Sequence, residues 1–149
     1  MIIPNATAME SLGGSLANLE QGFIHLCGDL GTGKTTLVRG FLRALGYEGI
    51  VKSPTYTIVE PYYFDKYTVY HFDLYRLGDP EELEYLGIRD YLNGICLIEW
   101  PEKGQNFTPK PDIKIYISHY GTARFLEMRA YTEIGKKLQT YIKSIPCQE

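Results

Sequence analysis

Residues 27–37, CGDLGTGKTTL, place a glycine, four further residues, then glycine, lysine and threonine in succession: Gly28, Asp29, Leu30, Gly31, Thr32, Gly33, Lys34, Thr35. The spacing G-x-x-x-x-G-K-[ST] suits the phosphates of a nucleotide. Glycines let backbone N–H groups turn inward around phosphate oxygens, in conformations that a Cβ would obstruct. Lys34 would reach the β- and γ-phosphates, and the Thr35 hydroxyl would bind Mg2+. A helix starting near Lys34 and continuing through Thr36 points the positive end of its dipole at the same anion. Chance produces such a match in roughly one chain in two hundred of this length. Its place between a strand-like run and an amphipathic run makes chance rarer still.

A phosphate cradle needs a carboxylate at the end of a neighbouring strand to complete the Mg2+ shell. Two acids meet that description: Asp73, ending VYHFD, and Glu99, ending ICLIE. The second run is the more apolar and reads as the more central strand. Glu99 is therefore the preferred metal acid, direct or through water, with Asp73 orienting water or the metal shell. The alternative for either is an acid that merely ends a strand at the surface. Guanine-reading switches carry Asn-Lys-x-Asp; here Pro109 precedes Lys110-Pro111-Asp112, and no Asp-x-x-Gly follows the cradle. ATP is the better match.

The elements that must hold these residues can be read from periodicity. Met9, Leu12, Leu16 and Leu19 recur at helical spacing and predict an amphipathic helix over 6–20, weakened by Gly13 and Gly14. GFIHLC (22–27) is a buried strand, and KTTLVRGFLRALG is a helix that Gly46 ends. YTIVEPYYF and YTVYHFD flank Asp65-Lys66 and predict a tyrosine-rich hairpin. DPEELEYLG carries a helix start, with Asp79 as cap, Pro80 in the first turn and Glu82 three residues past the cap. GICLIEW (94–100) is a second apolar strand, DIKIYISHY (112–120) an alternating one, and Gly121 turns the chain into ARFLEMRAY. A closing helix is expected over 133–145. No repeat or linker interrupts the chain, so 1–149 reads as one domain.

Composition excludes several classes. A length of 149 residues supports one core without disulfide or metal staples. No apolar run is long enough to span a bilayer, and the first twenty residues lack the pattern of a secretory signal, which together point to the cytoplasm. Cys27, Cys96 and Cys147 show no metal-ligand spacing, and the first two read as small buried side chains. Net charge is −3 with scattered Lys and Arg, which argues against strong independent RNA binding.

In order along the chain stand GDLGTGKTTLVRG, VKSPTYTIVE, HFDLYRL, DPEELEYLGIRDY and LIEWPEKG. Together they resemble the TsaE family, the small bacterial ATPases of tRNA threonylcarbamoyladenosine synthesis. The likeness is dense from about Ile24 to Gly104. Thr32 stands where that family usually has alanine. The resemblance implies a three-layer α/β P-loop fold with a mixed, mainly parallel sheet. It implies ATP and Mg2+ held by residues 28–36, with Thr35 and Glu99 as metal contacts and Asp73 as the catalytic acid. Ser53-Pro54-Thr55 would be a switch-like element in which Thr55 senses the γ-phosphate. Arg124 matches a position near the nucleotide, and IPNAT (3–7) would lie beside the adenine. Trp100 matches a family aromatic, though interior packing explains it equally.

Such an ATPase is implied to dock on two partner proteins of the TsaB and TsaD type, to hydrolyse ATP slowly alone, and to meet tRNA only through that complex. Two other classes remain open on the sequence: a small-molecule kinase, and an ATP sensor that binds partners without hydrolysis. A kinase would want an acceptor pocket and clustered arginines, and the six arginines here are dispersed. Eight of the 13 tyrosines fall between 56 and 91, serving cross-strand packing, a docking face, or both. Arg76 could pair with a phosphate or with the acids that follow it. His25, His71 and His119 read as packing or surface residues.

Overall fold

A strand covered on both faces reads as an unbroken apolar run, and Ile95–Glu99 is buried at all five positions. It lies inside a seven-stranded sheet in this computed structural model, which describes residues 1–145; Cys147 lies outside the described residues. The strands are β1 (Ile2–Ile3), β2 (Gly22–Cys27), β3 (Val59–Tyr63), β4 (Thr68–Asp73), β5 (Ile95–Glu99), β6 (Ile113–Tyr120) and β7 (Ala123–Ala130). Their order is β1-β7-β6-β2-β5-β4-β3. The central four, β6, β2, β5 and β4, run parallel, and the flanking three pair antiparallel.

Parallel pairing needs crossovers, and helices supply them. The helices are α1 (Ala6–Leu16), α2 (Lys34–Ala44), α3 (Glu82–Tyr85) and α4 (Glu133–Ser144), with 3-10 turns at Ile88–Tyr91 and Pro101–Phe107. On one sheet face, Met9, Leu12 and Leu16 of α1 and Leu37, Val38 and Phe41 of α2 pack with Ile24 and Leu26 of β2, and α4 adds Leu138 and Ile142. On the other face, Leu83, Ile88 and Phe107 from the short helical segments cover Phe72, Cys96 and Ile98. These are the three layers. Phe41 is fully buried, so Phe41→Ala should cost about 3–5 kcal/mol.

The helices differ from expectation in two places. α1 ends at Leu16, short of residue 20, after starting on an Asn5 side-chain cap to the Ala8 N–H. Gly13 and Gly40 are where α1 crosses α2: a Cβ on Gly13 would collide with the Leu37 carbonyl, and one on Gly40 with the Glu10 carbonyl. Gly13 thus permits the packing that gives α1 its place. After β4, the expected cap forms reciprocally, Asp79 N–H to Glu82 Oε1 at 3.0 Å and Glu81 N–H to Asp79 Oδ1 at 2.9 Å. The helix it starts lasts only four residues, with Gly87 left-handed two residues beyond. The hairpin forms as β3–β4. Its tyrosines divide: Tyr62 is buried edge-on against Tyr47, whereas Tyr56 and Tyr63 are exposed.

Candidate functional site

Register brings the chemistry-bearing residues to one edge. Leu26 pairs with Glu99 and Glu99 with Asp73, so the loop after Cys27 opens beside both acids at the carboxyl ends of β2, β5 and β4. In open α/β sheets that edge is where ligands bind. Alternation places His71, Asp73 and Glu99 on the α2 side of the sheet, because Phe72, Cys96 and Ile98 take the opposite side.

The loop itself is backbone bent for an anion. Gly28, Gly31 and Gly33 have φ of 155°, 77° and 106°. At Gly28 a Cβ would collide with the Ile117 carbonyl as well, so glycine is required twice over. The first α2 amide to bond back into the loop is that of Leu37, to the Gly33 carbonyl at 2.9 Å. The N–H groups of Lys34, Thr35 and Thr36 precede it, at the positive end of the helix dipole. Asp29 and Leu30 are both exposed at the tip. Thr32 is buried, and its hydroxyl donates to the Asp29 carbonyl at 2.9 Å. A threonine therefore fits where alanine was the family expectation, closing the turn it occupies.

Lys34 is folded back into its own loop. Its Nζ donates to the Gly28 carbonyl at 2.5 Å and the Asp29 carbonyl at 2.8 Å, and lies 4.5 Å from the Trp100 ring centre. Burial pushes its pKa below the ordinary lysine value, against the opposing pull of Glu99 and Asp73. Trp100 holds a left-handed backbone at φ 55°, and its ring packs tilted against Tyr75 with centroids 5.0 Å apart.

The acids have different partners. Thr35 Oγ1 donates to Glu99, 3.0 Å from Oε2 and 3.2 Å from Oε1. His71 Nε2 lies 2.5 Å from Glu99 Oε2. Asp73 Oδ2 accepts from the Thr55 hydroxyl at 3.1 Å, and Oδ1 from the Tyr75 N–H at 3.0 Å. Thr55 in turn lies 2.7 Å from Ser53 Oγ. The Ser53-Pro54-Thr55 segment is tied to β4 through Ile58, whose N–H reaches Pro54 and whose carbonyl accepts from Asp73 N–H.

Arg124 clasps the loop from outside. Its Nε donates to the Thr32 carbonyl at 3.2 Å and its Nη2 to the Gly31 carbonyl at 3.1 Å, while Nη1 bonds carbonyls of its own turn. Ile3 pairs with Arg124 on β1–β7, which puts the N-terminal segment beside the same loop. Asp112 is at the other edge of the sheet, accepting from the Phe23 N–H at 2.8 Å and the Thr132 hydroxyl at 2.6 Å. Both its oxygens are engaged, one on β2 and the other on Thr132, the cap of α4, far from any base-reading task at the loop. Arg76 pairs with no acid among the described residues; it lies over the Tyr56 ring at 4.5 Å. Burial raises the Cys27 and Cys96 thiols to about 11 and about 12, which keeps both protonated near neutral pH.

Sequence reasoning missed His71. The signal was there in HFD: two residues before an acid on a strand means the same face. Reading it required knowing that β5 lies next to β4.

A glycine loop joining a central parallel strand to the helix that covers it, at the carboxyl edge of a mixed sheet, defines a P-loop α/β protein. Comparison with known proteins narrows the class. The family model described as threonylcarbamoyl adenosine biosynthesis protein TsaE matches residues 3–126, and the chain belongs to that family. The tRNA threonylcarbamoyladenosine biosynthesis protein TsaE of Haemophilus influenzae is 57% identical over 117 residues, spanning 77% of this chain and 74% of that one. Its Bacillus subtilis namesake is 42% identical over 96 residues, 63% of this chain and 60% of that one. The crystal structure of Bacillus subtilis YdiB superposes with a TM-score of 0.81 at 27% identity, covering 96% of this chain and 92% of that one. No helix among the described residues is long and apolar enough to cross a membrane.

Proposed function

We propose that this chain is the ATP-hydrolysing subunit for the threonylcarbamoyl modification of the adenosine beside the anticodon. In this reading it binds ATP with Mg2+, turns it over slowly alone, and works while docked on partners of the TsaB and TsaD type. Contact with tRNA comes only through that assembly. The observation that carries the reading is the Thr35 hydroxyl 3.0 Å from the Glu99 carboxylate at the mouth of the glycine loop. Mg2+ takes one or two protein oxygens and fills its shell with phosphate and water; Thr35 and Glu99 supply that pair. Membership of a family of threonylcarbamoyl adenosine biosynthesis proteins supports the pathway.

The residues divide the work. Backbone N–H groups of residues 31–36 would cradle the phosphates, and Lys34 would trade its two loop carbonyls for phosphate oxygens. Mg2+ would draw charge from the β- and γ-phosphate oxygens. Asp73 would orient water for attack, and Thr55 would link that acid to the Ser53–Thr55 segment. Arg124 would hold the loop's carbonyls outward so that its amides face in. The engagement of Asp112 with Phe23 and Thr132 supports ATP over GTP, since it leaves no acid free for guanine there.

The test is ATP hydrolysis measured for the purified chain, with and without both partners. Slow turnover alone and faster turnover with the pair is expected; identical rates would remove the docked motor from the reading. In cells, Lys34→Ala should abolish the modified nucleoside, and unchanged nucleoside levels would remove the P-loop from it.

A further inference from the structure

A buried carboxylate beside a single neutral hydroxyl is expensive, because its lost hydration must be replaced by hydrogen bonds. Glu99 is 3% exposed, yet the Thr35 hydroxyl is its sole partner from the loop side. The missing partner comes from β4. His71 is wholly buried, and its Nε2 lies 2.5 Å from Glu99 Oε2. His71 Nδ1 has no partner among the described residues. That asymmetry assigns the tautomer. With the proton on Nε2, the orphan nitrogen is a bare lone pair; with it on Nδ1, a buried N–H donor would be stranded and two lone pairs would face each other.

We propose that His71 is a positioning residue for the magnesium site: its Nε2–H fixes the rotamer of Glu99 so that the carboxylate faces Thr35. The proposal rests on the reading of Thr35 and Glu99 as the metal pair. The Thr35 hydroxyl has one O–H and two lone pairs, so it can offer a lone pair to a cation while still donating to Glu99. That single rotatable donor leaves the carboxylate free to pivot, and His71 supplies the second bond, from β4, that keeps Glu99 from swinging away. Ligating carboxylates are generally oriented in this manner by a hydrogen-bonding neighbour, and loss of such a neighbour weakens metal binding by about 10–100-fold. Asp73 receives no such support from β5: its partners are Thr55 and Tyr75.

The test measures Mg2+ titrations of fluorescent ATP-analogue binding, with a parallel arm in EDTA. His71→Asn and His71→Gln bury the same amide, but only the longer glutamine puts a donor where Nε2 stood. His71→Asn should raise the Mg2+ concentration for half-maximal effect about 10-fold or more, with affinity in EDTA and the thermal midpoint close to those of His71→Gln. His71→Gln should restore the Mg2+ requirement to near wild type. Equal Mg2+ requirements for wild type and His71→Asn would overturn the proposal, as would equal losses with and without Mg2+ in both variants. Wild-type protein that binds the analogue without any Mg2+ dependence would instead overturn the metal pair itself, and the proposal with it.

Discussion

Asp73 and Glu99 are neighbours in register at the same sheet edge and nearly equally buried, yet they are held by different kinds of structure. Glu99 is bonded to β4 through His71 and to α2 through Thr35, both regular elements packed into the core. Asp73 is bonded to Thr55 and Tyr75, both outside strand and helix, and Thr55 continues to an exposed Ser53. A side chain held by frame elements keeps its place whatever the loops do. One held by a connecting segment reports that segment's position. The pair thus combines a fixed acid with a responsive one, which suits a metal anchor beside a residue that acts only when a switch is seated.

The largest effects should separate the two. Asp73→Asn is expected to cut partner-stimulated turnover by about 10²–10⁴-fold while Mg-ATP affinity stays near wild type. Glu99→Gln should raise the Mg2+ requirement at least as strongly as His71→Asn does. If the two variants shared one kinetic phenotype, the division of labour would be wrong. Next comes Thr55→Val, which leaves Asp73 with one partner. Turnover should fall about 10-fold, the loss of one hydrogen bond to a charged group, with Mg2+ dependence unaltered. Altered Mg2+ dependence would place Thr55 on the fixed side.

His25 gives a control away from the acids. It too is a buried histidine, with Nε2 on the Pro109 carbonyl at 2.7 Å, and burial lowers its pKa from 6.5 to about 4. The unfolded chain therefore binds a proton that the folded one refuses between those values. Stability should be fully present above pH 6.5 and fall toward pH 4, by about 2 kcal/mol at pH 5 from this group. Urea midpoints at pH 7 and pH 5 for wild type and His25→Gln check it: the variant should lose less on acidification. A smaller effect still is expected from Thr32→Ala, about 1 kcal/mol in urea for its bond to Asp29, with ATP affinity preserved. A large loss of affinity there would mean that the hydroxyl shapes the cradle itself.

Local pattern made much of this readable in advance. The run from Gly22 to Ala44 declares strand, loop and helix through apolar continuity, glycine spacing and an amphipathic face, all within one stretch. ICLIE and the β3–β4 hairpin were equally plain. What sequence could not supply was adjacency. The insertion of β5 between β2 and β4 is a non-local choice, and it alone puts His71 within reach of Glu99. Arg124 was assigned to the neighbourhood of the nucleotide, but its bonds to loop carbonyls came only from the fold. Gly13 looked like a flaw in α1 because helix propensity speaks of one segment, whereas its reason lies in the segment it touches.

That crossing has a reach beyond packing. Where α1 meets α2, no atom larger than hydrogen fits between the two main chains at Gly13 or Gly40. Even one added methyl would meet the Leu37 or the Glu10 carbonyl and force α1 away from α2, the helix that carries Thr35. The span from hydroxyl to carboxylate is therefore gauged by two residues that touch neither, and a survey confined to the loop's mouth would overlook the parts that calibrate it.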